Sequence, residues 1–173
     1  MLTGFEAHAI PAEVARALRG EIEEFNSAYA AVLDAGQLEA WPDFFAEDAL
    51  YRITGRENAD ADLPVGLVYC EGVAMLRDRA LAIARTMMFA PRYLLHQVTN
   101  VRVLALEEDA GAGGCRATAN YALYETLVDQ RTTLLQVGRY WDRFVRRDGA
   151  LKLRERHVVY DSLIIDTALI YPV

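Results

Sequence analysis

Leu134-Leu-Gln-Val-Gly-Arg-Tyr-Trp-Asp-Arg-Phe-Val-Arg-Arg-Asp-Gly-Ala-Leu-Lys-Leu-Arg-Glu-Arg-His-Val-Val-Tyr-Asp-Ser162 decides the fold. Two runs rich in Val, Leu, Phe, Trp and Tyr flank Arg147-Asp148-Gly149. An Asp-Gly pair between such runs predicts a tight hairpin, because both central residues of that turn need positive φ. Arg139, Asp142, Arg143, Arg154, Glu155, Arg156, His157 and Asp161 interleave with the apolar residues. Charge at that density on a sheet marks either a solvated face or a surface made to meet another charged surface.

Upstream, Leu95 to Leu106 and Arg116 to Val128 read as two further long strands, joined through a polar, Gly-rich turn at Glu107 to Gly114. With Thr132 to Arg147 and Leu151 to Ser162 they form an antiparallel meander. The N-terminal half is different. Val14, Leu18, Ile22, Phe25, Tyr29 and Val32 recur at three- and four-residue steps, which predicts one apolar helix face over about Pro11 to Asp34. Gln37 to Phe45 reads as a short helix with Trp41, Phe44 and Phe45 turned inward. Leu50 to Thr54 and Val65 to Glu71 read as short strands, with a loop at Gly55 to Pro64. Gly72 to Met88 reads as a helix with Val73, Leu76, Ala80, Ile83 and Met87 on one face. Helices first and long strands last predict an α+β fold, helices packed in one curved, mainly antiparallel sheet.

The 173 residues fit a single domain, 1–173, with a loose tail at 1–10. The stretch 163–173 is almost wholly apolar and is either a last piece of the sheet or a subunit contact. The net charge of −7 argues against nucleic acid and anionic membranes as partners. No apolar run is long enough to span a bilayer, and the N-terminus lacks signal-peptide features, so a cytoplasmic location is expected. Cys70 and Cys115 sit in no metal-like spacing and read as buried reduced thiols. Lys152 is the only lysine, all other basic residues being Arg. Arg forks suit interfacial carboxylates, although GC-rich coding explains the same bias.

Several landmarks occur in order: Asn26-x-x-Tyr29, Trp41-Pro-Asp-Phe-Phe45 followed by Tyr51-Arg52, and Met75-Leu-Arg-Asp-Arg79. Pro91-Arg-Tyr93 with His96 and Asn100 follows, then Gly138-x-Tyr140-x-Asp142, Arg156-x-x-x-Tyr160-Asp-Ser162 and Ile170-Tyr-Pro172. Together they resemble the small (β) subunits of aromatic-ring-hydroxylating dioxygenases. Among these they look most like the small subunits of salicylate 5-hydroxylase and terephthalate dioxygenase. The resemblance implies a cystatin-like (nuclear-transport-factor-2-like) cone. It implies a structural β subunit in a heterohexamer, three β subunits beneath three catalytic α subunits. It places a Rieske [2Fe–2S] cluster and a mononuclear non-haem iron in the α subunit, with no cofactor in this chain. A Rieske site needs two Cys and two His in paired spacings, and the iron site needs two His and a carboxylate. His8, His96 and His157 are the only histidines, and none stands beside Cys70 or Cys115 in such spacing.

On this reading no residue is catalytic or metal-binding. Candidate subunit contacts are Arg77, Arg79, Arg92, His96, Arg139, Asp142, Arg143 and Arg156, since Arg is enriched at interfaces while Lys is depleted. The rival is a stand-alone dehydratase, isomerase or cyclase that uses an acid–base pocket in the same cone, with Asp48, Tyr51, His96 and His157 as pocket candidates. A small-molecule binding module is a third use of the cone.

Overall fold

The computed structural model describes residues 7, 10–86, 90–107, 114–162 and 171–173. Most of the expected N-terminal tail, the turn at 108–113, Met87 and the stretch 163–170 lie outside them.

Helix α1 (Ala12–Asp34) is followed by a 3-10 helix (Leu38–Phe44), strand β1 (Phe45–Gly55), helix α2 (Arg56–Asp60), strand β2 (Val68–Glu71) and helix α3 (Gly72–Thr86). Four long strands follow: β3 (Arg92–Leu106), β4 (Cys115–Leu127), β5 (Thr133–Arg147) and β6 (Ala150–Tyr160). They form one six-stranded sheet in the order β2-β1-β6-β5-β4-β3. The meander from β3 to β6 is antiparallel, as is β1 with β2, while β1 runs parallel to β6. The loop expected at Gly55 to Pro64 contains α2. Among the described residues no helix is long and apolar enough to cross a membrane.

The β5–β6 turn has the predicted chemistry, with Asp148 at φ 53° and Gly149 at φ 82°. From it the strands zip back through Arg146↔Leu151 to Gly138↔Tyr160. One side of the sheet packs on α1, as the edge-on contact of Phe25 with Phe144 shows, with ring centroids 5.2 Å apart. The buried stripe of α1 is Ala15, Leu18, Ile22, Asn26, Tyr29, Ala30 and Leu33. The expected stripe was right at Leu18, Ile22 and Tyr29. Val14 is exposed instead, and Phe25 and Val32 are only partly buried, because the helix turns a polar residue, Asn26, into the core. The fully buried Trp41 fixes the 3-10 helix edge-on against Phe45 and Tyr51.

Candidate functional site

In β5, Tyr140, Asp142 and Phe144 alternate with Arg139, Trp141 and Arg143, so the first set faces α1 and the second faces away. Register then places Asp142 directly opposite Arg156. The guanidinium donates from Nε to Asp142 Oδ1 at 2.9 Å and from Nη2 to Oδ2 at 2.8 Å. Nη2 also donates to Asn26 Oδ1 at 2.7 Å. The ring of Tyr29 lies 4.3 Å from the guanidinium carbon and that of Tyr140 4.1 Å, a cation held between two π faces. Arg156 and Asp142 are wholly buried, at 0% and 3% exposure. Burial by itself would lower the Arg156 pKa. The Asp142 carboxylate, with smaller help from Tyr29 and Tyr140, outweighs that and raises it, while burial raises Asp142 against the pull of Arg156; the two-pronged contact at 2.8 and 2.9 Å makes the pair an internal ion pair.

This corrects two of the candidate subunit contacts. Arg156 and Asp142 hold their own chain together and present nothing to a partner. His96 and Arg92 are corrected likewise. Arg92 Nη1 donates to Glu125 at 2.6 Å, with both side chains largely buried. The His96 side chain is fully buried against Asp34.

The pocket candidates do not converge. Asp48 is exposed beside Arg154, 3.4 Å from its Nε. The Tyr51 hydroxyl accepts from the Val173 backbone N–H at 2.9 Å and donates to the Val173 carbonyl at 3.2 Å. Tyr29, which accepts from Trp41 Nε1 at 2.9 Å, donates to the same carbonyl at 3.1 Å. Val173 is fully buried, so this chain's own backbone takes up the hydroxyls that a pocket enzyme would aim at substrate. Burial raises both phenols, which stay neutral. Of the expected apolar tail, then, the last three residues pack inward.

His157 lies on the opposite face of the sheet, across from Trp141. Its Nε2 is 2.5 Å from Thr54 Oγ1. Burial, with the Arg52 charge nearby, pulls its pKa down to about 4. The folded state therefore holds a neutral ring that an unfolded chain would protonate below pH 6.5. The stability this contributes is complete above pH 6.5 and is lost as pH falls toward 4. About 2 kcal/mol is expected over that window, after allowing for solvent screening. Urea unfolding at several pH values should show a shallower decline for His157→Gln than for the wild type. Parallel declines would mean that the ring is not held neutral.

Around His157 the outer face carries Arg52, Arg116, Trp141, Arg143 and Glu155, which line a cavity of about 190 Å³. Arg52 donates to Glu155 at 2.9 Å, and Arg143 Nε to both oxygens of Glu107 at 3.0 Å. Arg139, Trp141 and Arg143 are half-buried, and Arg139 sits beside them on the same face. On α3, Arg77 is exposed near Glu47 and Arg79 is half-buried. Thus Arg139, Arg143, Arg77 and Arg79 are the candidate contacts that the fold leaves at the surface.

One site escaped the sequence. Asp34, the last residue of α1, accepts His96 Nδ1–H at 2.6 Å and the His96 backbone N–H at 3.1 Å. A carboxylate at a helix C-terminus opposes the helix dipole, and that misplacement was the available signal. The pair borders a cavity of about 480 Å³ between α1 and β3. Cys70 and Cys115 are free and buried, and burial raises both thiols, Cys115 to about 12. Among the described residues no three His, Cys, Asp or Glu side chains gather as a metal site would require.

The family model described as ring hydroxylating beta subunit matches residues 28–167. The chain is 31% identical over 153 residues to the anthranilate 1,2-dioxygenase small subunit of Burkholderia cepacia, covering 88% of this chain and 92% of that one. It is 32% identical over 152 residues to β subunit 2 of the terephthalate 1,2-dioxygenase terminal oxygenase component of a Comamonas species, covering 88% and 96%. A crystal structure from Novosphingobium aromaticivorans, assigned as the β subunit of an aromatic-ring-hydroxylating dioxygenase, superposes with a TM-score of 0.81 at 32% identity, covering 91% of this chain and 98% of that one.

Proposed function

The chain belongs to the family of ring-hydroxylating β subunits, and from that premise we propose that it is the structural small subunit of the terminal oxygenase of an aromatic-ring-hydroxylating dioxygenase. In this reading three copies assemble with three larger α subunits, and the α subunits carry the Rieske cluster, the non-haem iron and the oxidation. The observation that carries the reading is the way this chain uses its polar groups. At the centre of the cone Arg156 is bound to Asp142 and Asn26, while Tyr29 and Tyr51 are bound to Val173. Among the described residues the donor set does not fit iron either. The two thiols are separate and buried, and His96 and His157 lie on opposite sides of the sheet. Left at the surface for a partner are Arg77 and Arg79 on α3 and the outer face of the sheet, where half-buried Arg and Trp side chains have the composition of an interface.

The test is co-purification. The tagged chain is expressed with the neighbouring oxygenase gene of its genome, and the eluate is assayed for a larger partner and for iron. A larger chain arriving with iron is expected. Recovery of this chain alone and iron-free, at good yield, would overturn the reading. Arg139→Glu should then cut the recovered partner about tenfold, the effect of one like-charge contact at an interface. The isolated variant should unfold within about 0.5 kcal/mol of the wild type, as surface substitutions do. Full recovery of the partner with Arg139→Glu would move the contact off this face.

A further inference from the structure

The outer face of the sheet is charged around Arg143 and Glu155 and nearly uncharged at its other end. Register sets Leu95, Tyr124 and Leu134 in one cross-strand row, and Thr99, Asn120 and Arg139 two rows on. Across those rows Arg139 is the only outward charge. Among the described residues it makes no hydrogen bond or ion pair, and its nitrogens are open to solvent. Leu95 and Leu134 are more than half exposed, and Tyr93, one row further out, is 69% exposed. A half-buried guanidinium among uncharged neighbours calls for a carboxylate, which desolvation of the surrounding patch would make a closer partner than water.

The opposite edge of the same sheet offers one. Between α2 and β2, Asp62-Leu63-Pro64-Val65-Gly66-Leu67 is exposed throughout, and Leu63, Val65 and Leu67 each show about half their surface. Asp62 is the only charge in that strip and makes no ion pair among the described residues. The strip is held in shape. Leu63 N–H donates to the Asn58 carbonyl at 2.9 Å, and Leu67 N–H to the Ile53 carbonyl at 2.8 Å. A Cβ at Gly66 would lie 2.5 Å from that same Ile53 oxygen, so only glycine lets the strip lie this close to β1. A segment already fixed in an exposed shape loses little freedom on docking.

We propose, on the premise of a β subunit that assembles in threes, that this strip of one copy docks on the uncharged end of the outer face of a second copy, with Asp62 paired to Arg139. The two surfaces complement each other: apolar side chains on both, one carboxylate on one and one cation on the other. A net charge of −7 makes copies of this chain repel, and here they meet with a single Asp against a single Arg. An apolar contact with few charges is the composition of an interface between identical subunits. Two different surfaces meet, so the contact is heterologous and closes as a ring. The larger chains are held by that ring, so the loss of partner expected for Arg139→Glu follows from this contact.

The chain carrying Val65→Cys and Leu95→Cys together is co-expressed with the larger subunit, and the purified protein is treated with a short bismaleimide. Cys70 and Cys115 are buried, with thiols raised by burial, and stay silent. Denaturing gels should show covalent dimers and trimers of this chain, while each single-cysteine variant stays monomeric. Adding Arg139→Glu should cut the trimer yield about tenfold, and adding Asp62→Arg as well should restore it. A Leu95→Cys variant that cross-links to itself would make the contact isologous and overturn the proposal. So would a charge-swapped variant no better than Arg139→Glu alone. If the larger subunit co-purifies normally while the double variant stays monomeric, or cross-links only to the larger subunit, this contact is wrong and the subunit assignment survives. Cross-linked copies without any larger partner would do the reverse, supporting the contact and sinking the assignment.

Discussion

Arg156→Leu is expected to lower the unfolding free energy by about 3–5 kcal/mol, the cost of breaking a buried ion pair from one side. Asp142 would then lie 3% exposed without its cation, and burial would drive it to take up a proton. Asn26 Oδ1 would lose its donor as well, and the rings of Tyr29 and Tyr140 their cation. A domain of ordinary stability has about 5–15 kcal/mol in total, so the variant should stand near the edge of folding. Replacing both partners separates loss of the pair from loss of one half. Arg156→Leu with Asp142→Leu removes both charges and should recover much of the deficit, because paired burial is itself costly. Urea titrations of the two variants and the wild type decide it. A single variant within about 1 kcal/mol of wild type would mean that water reaches Asp142 and that the pair is not what closes the cone.

The hairpin around that pair shows what the sequence discloses and what it hides. Asp148-Gly149 announces its own turn, because few other residues enter the left-handed region there. The period-two alternation of β5 is equally plain: Tyr140, Asp142 and Phe144 share a side, which already puts Asp142 among aromatics. The partner strand breaks the pattern. Phe144 pairs with Leu153 and Arg143 with Glu155, so Arg154 is an extra residue in a bulge. Counting in twos from Leu153 sends Glu155 to the core and Arg156 outward, the reverse of what occurs. The sequence therefore makes Arg156 look like a docking residue. Arg139 and Arg143, on the unbulged strand, keep the outward position that alternation gives them. His96 was hidden differently. Its partner lies 62 residues away at the end of α1, a distance that no local pattern spans.

The parallel pairing of β1 with β6 was also beyond local reading, since periodicity fixes neither the neighbour of a strand nor its direction. By joining β6 to β1, it brings Tyr51 to Arg156 in register and so assembles the tyrosine cluster around Val173 from two ends of the chain.

Gly138→Ala is the second substitution with a large expected effect, and its cause is space rather than backbone freedom. A Cβ at Gly138 would lie 2.1 Å from the Val159 carbonyl oxygen and 2.8 Å from the Tyr160 Cα. Both are backbone atoms of the adjacent strand, so no side-chain rotation relieves the clash. Its third neighbour, a Tyr121 ring carbon at 3.0 Å, belongs to a ring stacked on Tyr140 at 4.8 Å, and that ring in turn covers Arg156. One methyl group must therefore part β5 from β6 or push the stack onto the ion pair. A loss of about 3 kcal/mol is expected, at the upper end for overpacking, which is about 6–12 °C in melting temperature for a domain of this length. Gly20→Ala is the matched control: it lies in α1 with nothing within 4 Å of its Cβ position, and should stabilise by about 0.5–1 kcal/mol. If Gly138→Ala melts with the wild type while Gly20→Ala behaves as expected, then the β5–β6 ladder yields to a methyl group at no cost. In that case the close approach of the strands at Gly138 does not hold the tyrosines over Arg156.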